Sequence, residues 1–354
     1  MNKLKLLRKK IDTYDSKIVR LLNLRAQAAL NIGKLKKKSG GSFYLPHREK
    51  EVLRKVKRLS SVLSQDAVAE VYDEILNVCR NLQKKLVIGY FGPEATFTHQ
   101  AAQKNFGMQA EYFPAPSISE VFELVEREQV DYGVVPIENS TEGIVTHTLD
   151  MFRSSDLKIV MEIKLAVHHC LLSKCRNVAN IKRIYSHQHA FPQCSGYIKR
   201  NLHTAEFVEV SSTAEAAKKA SQDAHGAAIA SQLAGKLYKL PIVAKRIEDL
   251  HNNVTRFLVI GRDIAQSTGQ DKTSILFAIK DRVGALHDIL NPFKRMHINM
   301  TKIESRPEKG KAWNYIFYVD FEGHIKQEKI RKLIKTIDDY CKFVKILGSY
   351  PMAE

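Results

Sequence analysis

Several things are missing from this chain of 354 residues. No apolar run reaches the length of a membrane span, which argues against a bilayer-embedded protein. The basic start MNKLKLLRKKIDTYDSK lacks a continuous apolar core and a small-residue cleavage site, so no secretory signal is expected. Cys79, Cys170, Cys175, Cys194 and Cys341 are odd in number, scattered and without CxxC spacing. That pattern excludes a disulfide frame or a zinc ribbon and suits reduced thiols in a cytoplasmic protein. His187, His189 and His203 do not share the ligand spacing of one helix, so no metal is expected. There is no low-complexity tract.

What remains is an ordinary globular composition, 44% hydrophobic and 27% charged, at a length that suits two or three domains. The net charge of +18 is uneven. Residues 1–86 hold twenty-one Lys plus Arg against eight Asp plus Glu, a net +13. Such a segment suits an anionic partner, either nucleic acid or small carboxylates.

The basic segment reads as helical. Leu4, Leu7, Ile11, Tyr14, Ile18, Leu21, Ala28, Ile32 and Leu35 alternate three and four apart, the seam of one long packed helix. Gly40-Gly41 ends it, a second helix starts near Pro46, and a third runs from about Ser64 to Lys85. In the third, Val68, Val71, Ile75, Val78 and Leu82 are expected to point inward. Helices this long with so few residues make a poor monomer core, so pairing between chains is expected. Near Leu86 the period changes. LVIGYFG, VDYGVVPI, RIYSHQ and GAAIAS are short apolar strands between helical stretches, an α/β region long enough for two lobes. After the polar AQSTGQDK, the order strand, helix, strand, strand, helix, strand predicts a βαββαβ ferredoxin-like module.

Arg25 interrupts the apolar seam, and a cation there is costly unless an anion meets it. Helix one places no acid three or four residues away. Lys36 lies eleven residues on, roughly 16 Å along the same face, so both can grip the ends of one small molecule. Arg8 is roughly 25 Å from Arg25 and reaches that ligand only from an antiparallel partner chain. Arg48, Glu49 and Gln83 complete a polar set, and a buried salt bridge is the alternative reading of Arg25. Over residues 1–86 this pattern resembles the all-helical chorismate mutase class. The resemblance implies that Arg8 of a partner subunit, Arg25 and Arg48 hold the two carboxylates of chorismate. It assigns Lys36 and Gln83 to the ether oxygen and Glu49 to the ring hydroxyl. Leu45 stands where Asp is often found, which removes a ligand on the hydroxyl side, and Cys79 stands where Ser is often found, which swaps a good donor for a weak one.

In the α/β region, polar residues crowd strand ends: Glu138, Asn139, Ser140 and Thr141; Ser186 and Gln193; Asn253, Thr255 and Arg256. Three such ends in one sheet system suit a ligand cleft. The stretch HNNVTRFLVIG has two readings, a polar turn capping loose backbone groups or a cleft floor with a fixed cation and a proton donor. Gly92-Pro93 with Thr96-Phe97, Pro136 to Ser140, Ser186-His187 with Gln193-Cys194, and Asn253 with Thr255 to Phe257 occur in the order seen in prephenate dehydratases, which residues 87–262 resemble. By that resemblance Thr255 protonates the leaving hydroxyl of prephenate and Arg256 neutralises a carboxylate. Glu138, Asn139, Ser140, Thr141, Ser186, Gln193, Asn253 and Phe257 line the same site, and no cofactor is implied. Gln188 and His189 replace the Pro and Gln usual in that loop.

Gly284-Ala285-Leu286 opens a helix, and Glu304-Ser305-Arg306-Pro307 ends a strand. This pair of motifs resembles the regulatory ACT domain, which implies an allosteric site for L-phenylalanine at those seven residues. The expected organisation is thus a helical mutase domain over 1–86, a two-lobed α/β dehydratase domain over 87–264 and an ACT domain over 272–351. The whole resembles the bifunctional chorismate mutase/prephenate dehydratases, as a cytoplasmic homodimer or higher even homo-oligomer that needs neither nucleic acid nor membrane. One alternative keeps the dehydratase with a decayed mutase module as dimeriser. The other, from a different class, is a basic ligand-sensing protein that binds nucleic acid, although the helices lack interleaved aromatics and a helix-turn-helix pattern.

Overall fold

The structure, a computed structural model, describes residues 2–40, 42–175, 177–250, 252–280, 282–307 and 315–353. It divides into two compact units, 1–86 with 106–111 and 87–105 with 112–354. The first is helical: α1 (Asn2–Ser39), α2 (Pro46–Leu59) and α3 (Gln65–Gln83). Each end has a local cause. Lys36, Lys37 and Lys38 complement the carbonyl end of α1. Pro46 opens α2 at a position where a missing amide costs nothing. The Ser64 hydroxyl caps α3 by accepting from the Ala67 amide.

One expectation holds only in part here. On α3 the apolar stripe faces inward only in part: Val68 and Ile75 are half-buried, but Val71, Val78 and Leu82 are exposed, whereas Asn77, Cys79 and Arg80 are buried. On α1 the seam residues Leu4, Leu7, Ile11, Tyr14, Ile18, Leu21, Ile32 and Leu35 are each at least 50% exposed. A single chain therefore turns Asn77 and Arg80 inward and leaves most of the apolar seam of α1 and part of that of α3 uncovered.

The second unit begins with β1 (Val87–Phe91), α4 (Phe97–Phe106), β2 (Glu111–Ala115), α5 (Ile118–Glu126), β3 (Tyr132–Asn139), β4 (Gly143–Ile144), α6 (Thr146–Ser154) and β5 (Lys158–Ala166). There follow β6 (Cys170–Ser173), β7 (Arg183–Ser186), α7 (Ala190–Gln193), α8 (Ser195–Asn201), β8 (Glu206–Glu209), α9 (Thr213–Gln222), β9 (Gly226–Ala230), α10 (Gln232–Leu237) and β10 (Ile242–Ala244). Last come β11 (Val254–Gly261), β12 (Asp271–Ile279), α11 (Ala285–Arg295), β13 (Met300–Pro307), β14 (Tyr315–Glu322), α12 (Glu328–Asp338) and β15 (Cys341–Pro351). Trp313 and Asn314, expected to begin the third strand of the C-terminal module, lie outside the described residues.

Among the described residues three sheets result, in the orders β2-β1-β3-β11-β5 with β4 beside β3, β10-β6-β9-β7-β8, and β13-β14-β12-β15. The first two are mixed and form the two lobes; the third carries α11 and α12 in βαββαβ order. β11 enters the middle of the first sheet between β3 and β5, antiparallel to both. Its apolar run Phe257–Ile260 is buried at 1% exposure or less, which explains why a strand so late in the chain belongs to the first lobe. The C-terminal sheet packs on that lobe. Gly348 permits this, since a Cβ there would meet the backbone oxygen of Ile159 at 2.3 Å. No described helix is long and apolar enough to cross a membrane.

Candidate active sites

A cavity of about 360 Å³ lies among α1, α2 and α3. Arg25, Lys36, Arg48, Glu49, Cys79 and Gln83 all line it, as do Leu45 and Arg80. Gly33 makes the arrangement possible, because a Cβ there would sit 2.9 Å from Gln83 Cβ. Close approach of α3 to α1 thus sets Gln83 against the turn that carries Lys36. Arg8 lies on the exposed part of α1 and does not line the cavity of its own chain.

Arg80 is the residue that sequence reasoning missed. Its guanidinium is 2% exposed and donates to both carboxylate oxygens of Glu49, at 2.7 and 3.0 Å, and to Asn77 Oδ1. The rings of Tyr44 and Phe106 lie 4.9 and 5.4 Å from it. The available signal was a polar stripe, Asn77, Arg80 and Gln83, three residues apart on one helix. Burial pushes the Glu49 carboxyl up from its ordinary range, against the pull of Arg80. Burial likewise lowers Lys36, while Glu49 raises it. Arg48 makes an exposed ion pair with Glu51 at 2.6 Å, a weak tie that leaves it able to turn to a ligand. Four cations against one carboxylate suit a small dianion.

The second site sits where β3 ends and β11 begins. Asn139 and Thr255 are direct cross-strand partners, and Asn139 Nδ2 donates to Thr255 Oγ1 at 2.7 Å and to Asn253 Oδ1 at 2.8 Å. The orientation of that amide is fixed, because its Oδ1 accepts from the Thr141 amide, the Thr141 hydroxyl and the Glu142 amide. Thr255 therefore spends an oxygen lone pair on Asn139 and keeps its proton for another acceptor. Gln193 reaches across from α7: its Oε1 accepts from Asn253 Nδ2 at 2.8 Å and its Nε2 donates to Glu142 at 2.9 Å. The network extends to His169, 3.1 Å from Gln193, and to His189, paired with Glu142 at 2.8 Å. Burial holds the His169 imidazole below its ordinary range, so it meets Gln193 Oε1 as a neutral donor. Glu142 and His169 were not expected as members; Glu142 follows directly on the Asn139–Thr141 motif.

Other expected members fall elsewhere. Ser140 acts as a clip, its hydroxyl oxygen accepting from the Val254 amide at 3.0 Å. Phe257 is a core residue at 1% exposure. Ser186 belongs to the second sheet, fully buried, with its hydroxyl donated to the Ile229 carbonyl. The three polar strand ends thus lie in two sheets, not one. Glu138 and Arg256 are also corrected. Alternation along the strands puts them on the face opposite Thr255, and both are engaged by the C-terminal module. Arg256 meets Glu162 at 2.7 Å, Asp320 at 2.7 Å and the Tyr350 hydroxyl at 3.0 Å, which engages all three guanidinium nitrogens away from Thr255. Against the desolvation that would raise it, Arg256 and Lys272 hold the Glu162 carboxyl below its ordinary range.

In the C-terminal module Gly284, with φ of +77°, caps the start of α11, followed by buried Ala285 and half-buried Leu286. Glu304, Ser305, Arg306 and Pro307 end β13, the edge strand of its sheet. Arg306 and Pro307 line a second cavity of about 390 Å³, bounded also by α6, where Arg306 lies 3.9 Å from Asp150.

Comparison with known families and structures agrees with this layout. Residues 7–84 match the model of chorismate mutase type II, residues 88–265 that of prephenate dehydratase and residues 273–339 that of the ACT domain. The chain is 46% identical to the bifunctional chorismate mutase/prephenate dehydratase of Aquifex aeolicus, over 100% of this chain and 99% of that protein. It is 41% identical to the protein of the same description from Pseudomonas aeruginosa, over 99% and 98%. Among solved structures, the prephenate dehydratase of Arthrobacter aurescens in complex with L-Phe is 32% identical, with a TM-score of 0.71 over 76% of this chain and 90% of that one. With three family models in order and a full-length relative at this identity, the chain belongs to the bifunctional chorismate mutase/prephenate dehydratases.

Proposed function

We propose that residues 1–86 rearrange chorismate to prephenate, residues 87–264 convert prephenate to phenylpyruvate, and residues 272–351 impose feedback inhibition by L-phenylalanine. The observation that carries the reading is that each unit holds its own polar site, a cationic cavity in one and a poised hydroxyl in the other. In the first, the ether C–O bond breaks as a new C–C bond forms. Negative charge gathers on the ether oxygen, where the Lys36 ammonium and the Gln83 amide stabilise it. No acid, base or nucleophile is needed, since charge placement and one held conformer suffice. In the second, the ring carboxylate leaves as carbon dioxide and its bonding electrons pass into the ring. The C–O bond to the ring hydroxyl then breaks as Thr255 supplies a proton, and water departs. Aromatisation drives the step.

The retained set of Lys36, Glu49 and Gln83 around one cavity favours a working mutase over a decayed dimeriser. The uncovered apolar stripe of α1 supports a homodimer in which Arg8 enters the cavity of a second copy. An edge strand carrying Glu304–Pro307 suits side-by-side pairing of two C-terminal modules, and the L-Phe complex of the Arthrobacter aurescens protein supports phenylalanine as the regulator. A cytoplasmic location is in keeping with free thiols throughout.

Chorismate should pass through prephenate to phenylpyruvate in one cuvette, with phenylalanine slowing the second step. Failure to consume either acid would remove the reading. For the shared mutase site, Arg8→Ala and Lys36→Ala proteins should each be nearly inactive on chorismate, yet regain turnover when their subunits are mixed and exchanged. Exchanged mixtures that stay inactive would show that Arg8 serves no second copy.

A further inference from the structure

Glu138 and Arg256 are direct partners across β3 and β11, one residue along from the Asn139–Thr255 pair. The two pairs point to opposite faces of the sheet, one to the reaction cleft and one to the C-terminal module. On that module Lys302 and Asp320 are likewise direct partners, across β13 and β14. The facing pairs join charge to charge. Lys302 Nζ lies 2.6 Å from Glu138 Oε2, and Arg256 Nη1 lies 2.7 Å from Asp320 Oδ2. The side chain of Asp320 is fully buried and that of Arg256 is 11% exposed, so water screens that link little; in the other link Lys302 is 11% exposed and Glu138 38%, so it is partly screened. Glu162 and the Tyr350 hydroxyl hold Arg256 from two further directions. The residue that follows Thr255 is thus tied to two strands of one sheet and one strand of another.

We propose that this quartet is a strut through which the C-terminal module sets the position of the Thr255 hydroxyl. Lys302 and Asp320 are positioning residues of the dehydratase, although neither touches the cleft. The inference rests on the reading of Thr255 as proton donor. A β-strand is stiff between neighbouring residues, so a displacement of Glu138 or Arg256 toward or away from the module is passed to Asn139 or Thr255. Proton transfer is sensitive to displacements well below an ångström, whereas the initial grip on prephenate is spread over many contacts. Loss of the strut should therefore lower kcat more than it changes KM.

The test exchanges the charges of one link in the full-length protein. Lys302→Glu and Glu138→Lys each put like charges face to face and should lower kcat for prephenate by about tenfold or more, with KM within about threefold. The double exchange restores opposite charges across the link while leaving a like charge beside Arg256 and another beside Asp320, so it should recover part of the lost kcat, a rescue that independent packing defects would not produce. Lys302→Met removes the cation while keeping an unbranched stem, so it reports on the link should the repulsive variants fold poorly. Its kcat should also fall, with chorismate turnover unchanged. Parental kcat in Lys302→Met, or a double exchange no faster than the slower single variant, would overturn the strut. Absence of prephenate turnover in the parent would instead remove the dehydratase reading beneath it.

Discussion

Thr255→Val is expected to slow prephenate turnover by ~100- to 10,000-fold, the usual loss when a positioned proton donor is removed. The substitution keeps a β-branched shape that suits the start of β11 and deletes only the hydroxyl. Asn139 keeps its second acceptor, Asn253 Oδ1 at 2.8 Å, so the cost to stability should stay near one ordinary hydrogen bond, about 1 kcal/mol. Thr255→Ser retains the hydroxyl and should retain substantial activity. Chorismate turnover, which belongs to the other unit, is the internal control for folding and should remain near parental in both variants. The decisive measurement is kcat for prephenate in purified Thr255→Val protein. A rate equal to the parent would mean that Asn139 merely anchors a structural cap and that the proton comes from elsewhere.

Lys36→Ala should have the complementary outcome, a loss of ~100-fold or more in chorismate turnover with prephenate turnover spared. The expected size follows from the cavity. Lys36 faces partly buried surroundings in which desolvation already depresses its ammonium, so its charge acts through a low local dielectric on the oxygen that becomes negative. In the proposed assignment Gln83 would add only a neutral hydrogen bond to the same atom, so Gln83→Ala should cost less. Arg80 is different in kind, because its guanidinium is already paired with Glu49. Steady-state rates on chorismate and on prephenate from the same preparation decide the matter. A Lys36→Ala protein within a few-fold of parental chorismate turnover would place the ether oxygen elsewhere in the cavity.

Much of this molecule was legible along the chain. The three-four alternation of α1, the capping serine of α3, the apolar run at Phe257–Ile260 and the βαββαβ order after AQSTGQDK are local patterns, and local steric and solvation rules dictate them. The residue types that line the helical cavity were also legible, since Arg25 on an apolar seam calls for an anion that its own helix does not supply. What the linear pattern could not convey is which face of an element meets what. The apolar stripe of α3 reads as the inner face, but within one chain the buried face is Asn77, Cys79 and Arg80, because Arg80 and Glu49 satisfy each other across two helices. Thr255 and Arg256 read as one cluster because they are adjacent. Strand alternation sends them to opposite sides of the sheet, and only the packing of β13, β14 and β15 against the first lobe shows that the second side is already filled with carboxylates. Sequence by itself therefore determined the elements, the family and the chemical types at each site. Tertiary structure alone decided which of two neighbouring side chains faces the cleft, because that depends on contacts between residues far apart in the chain.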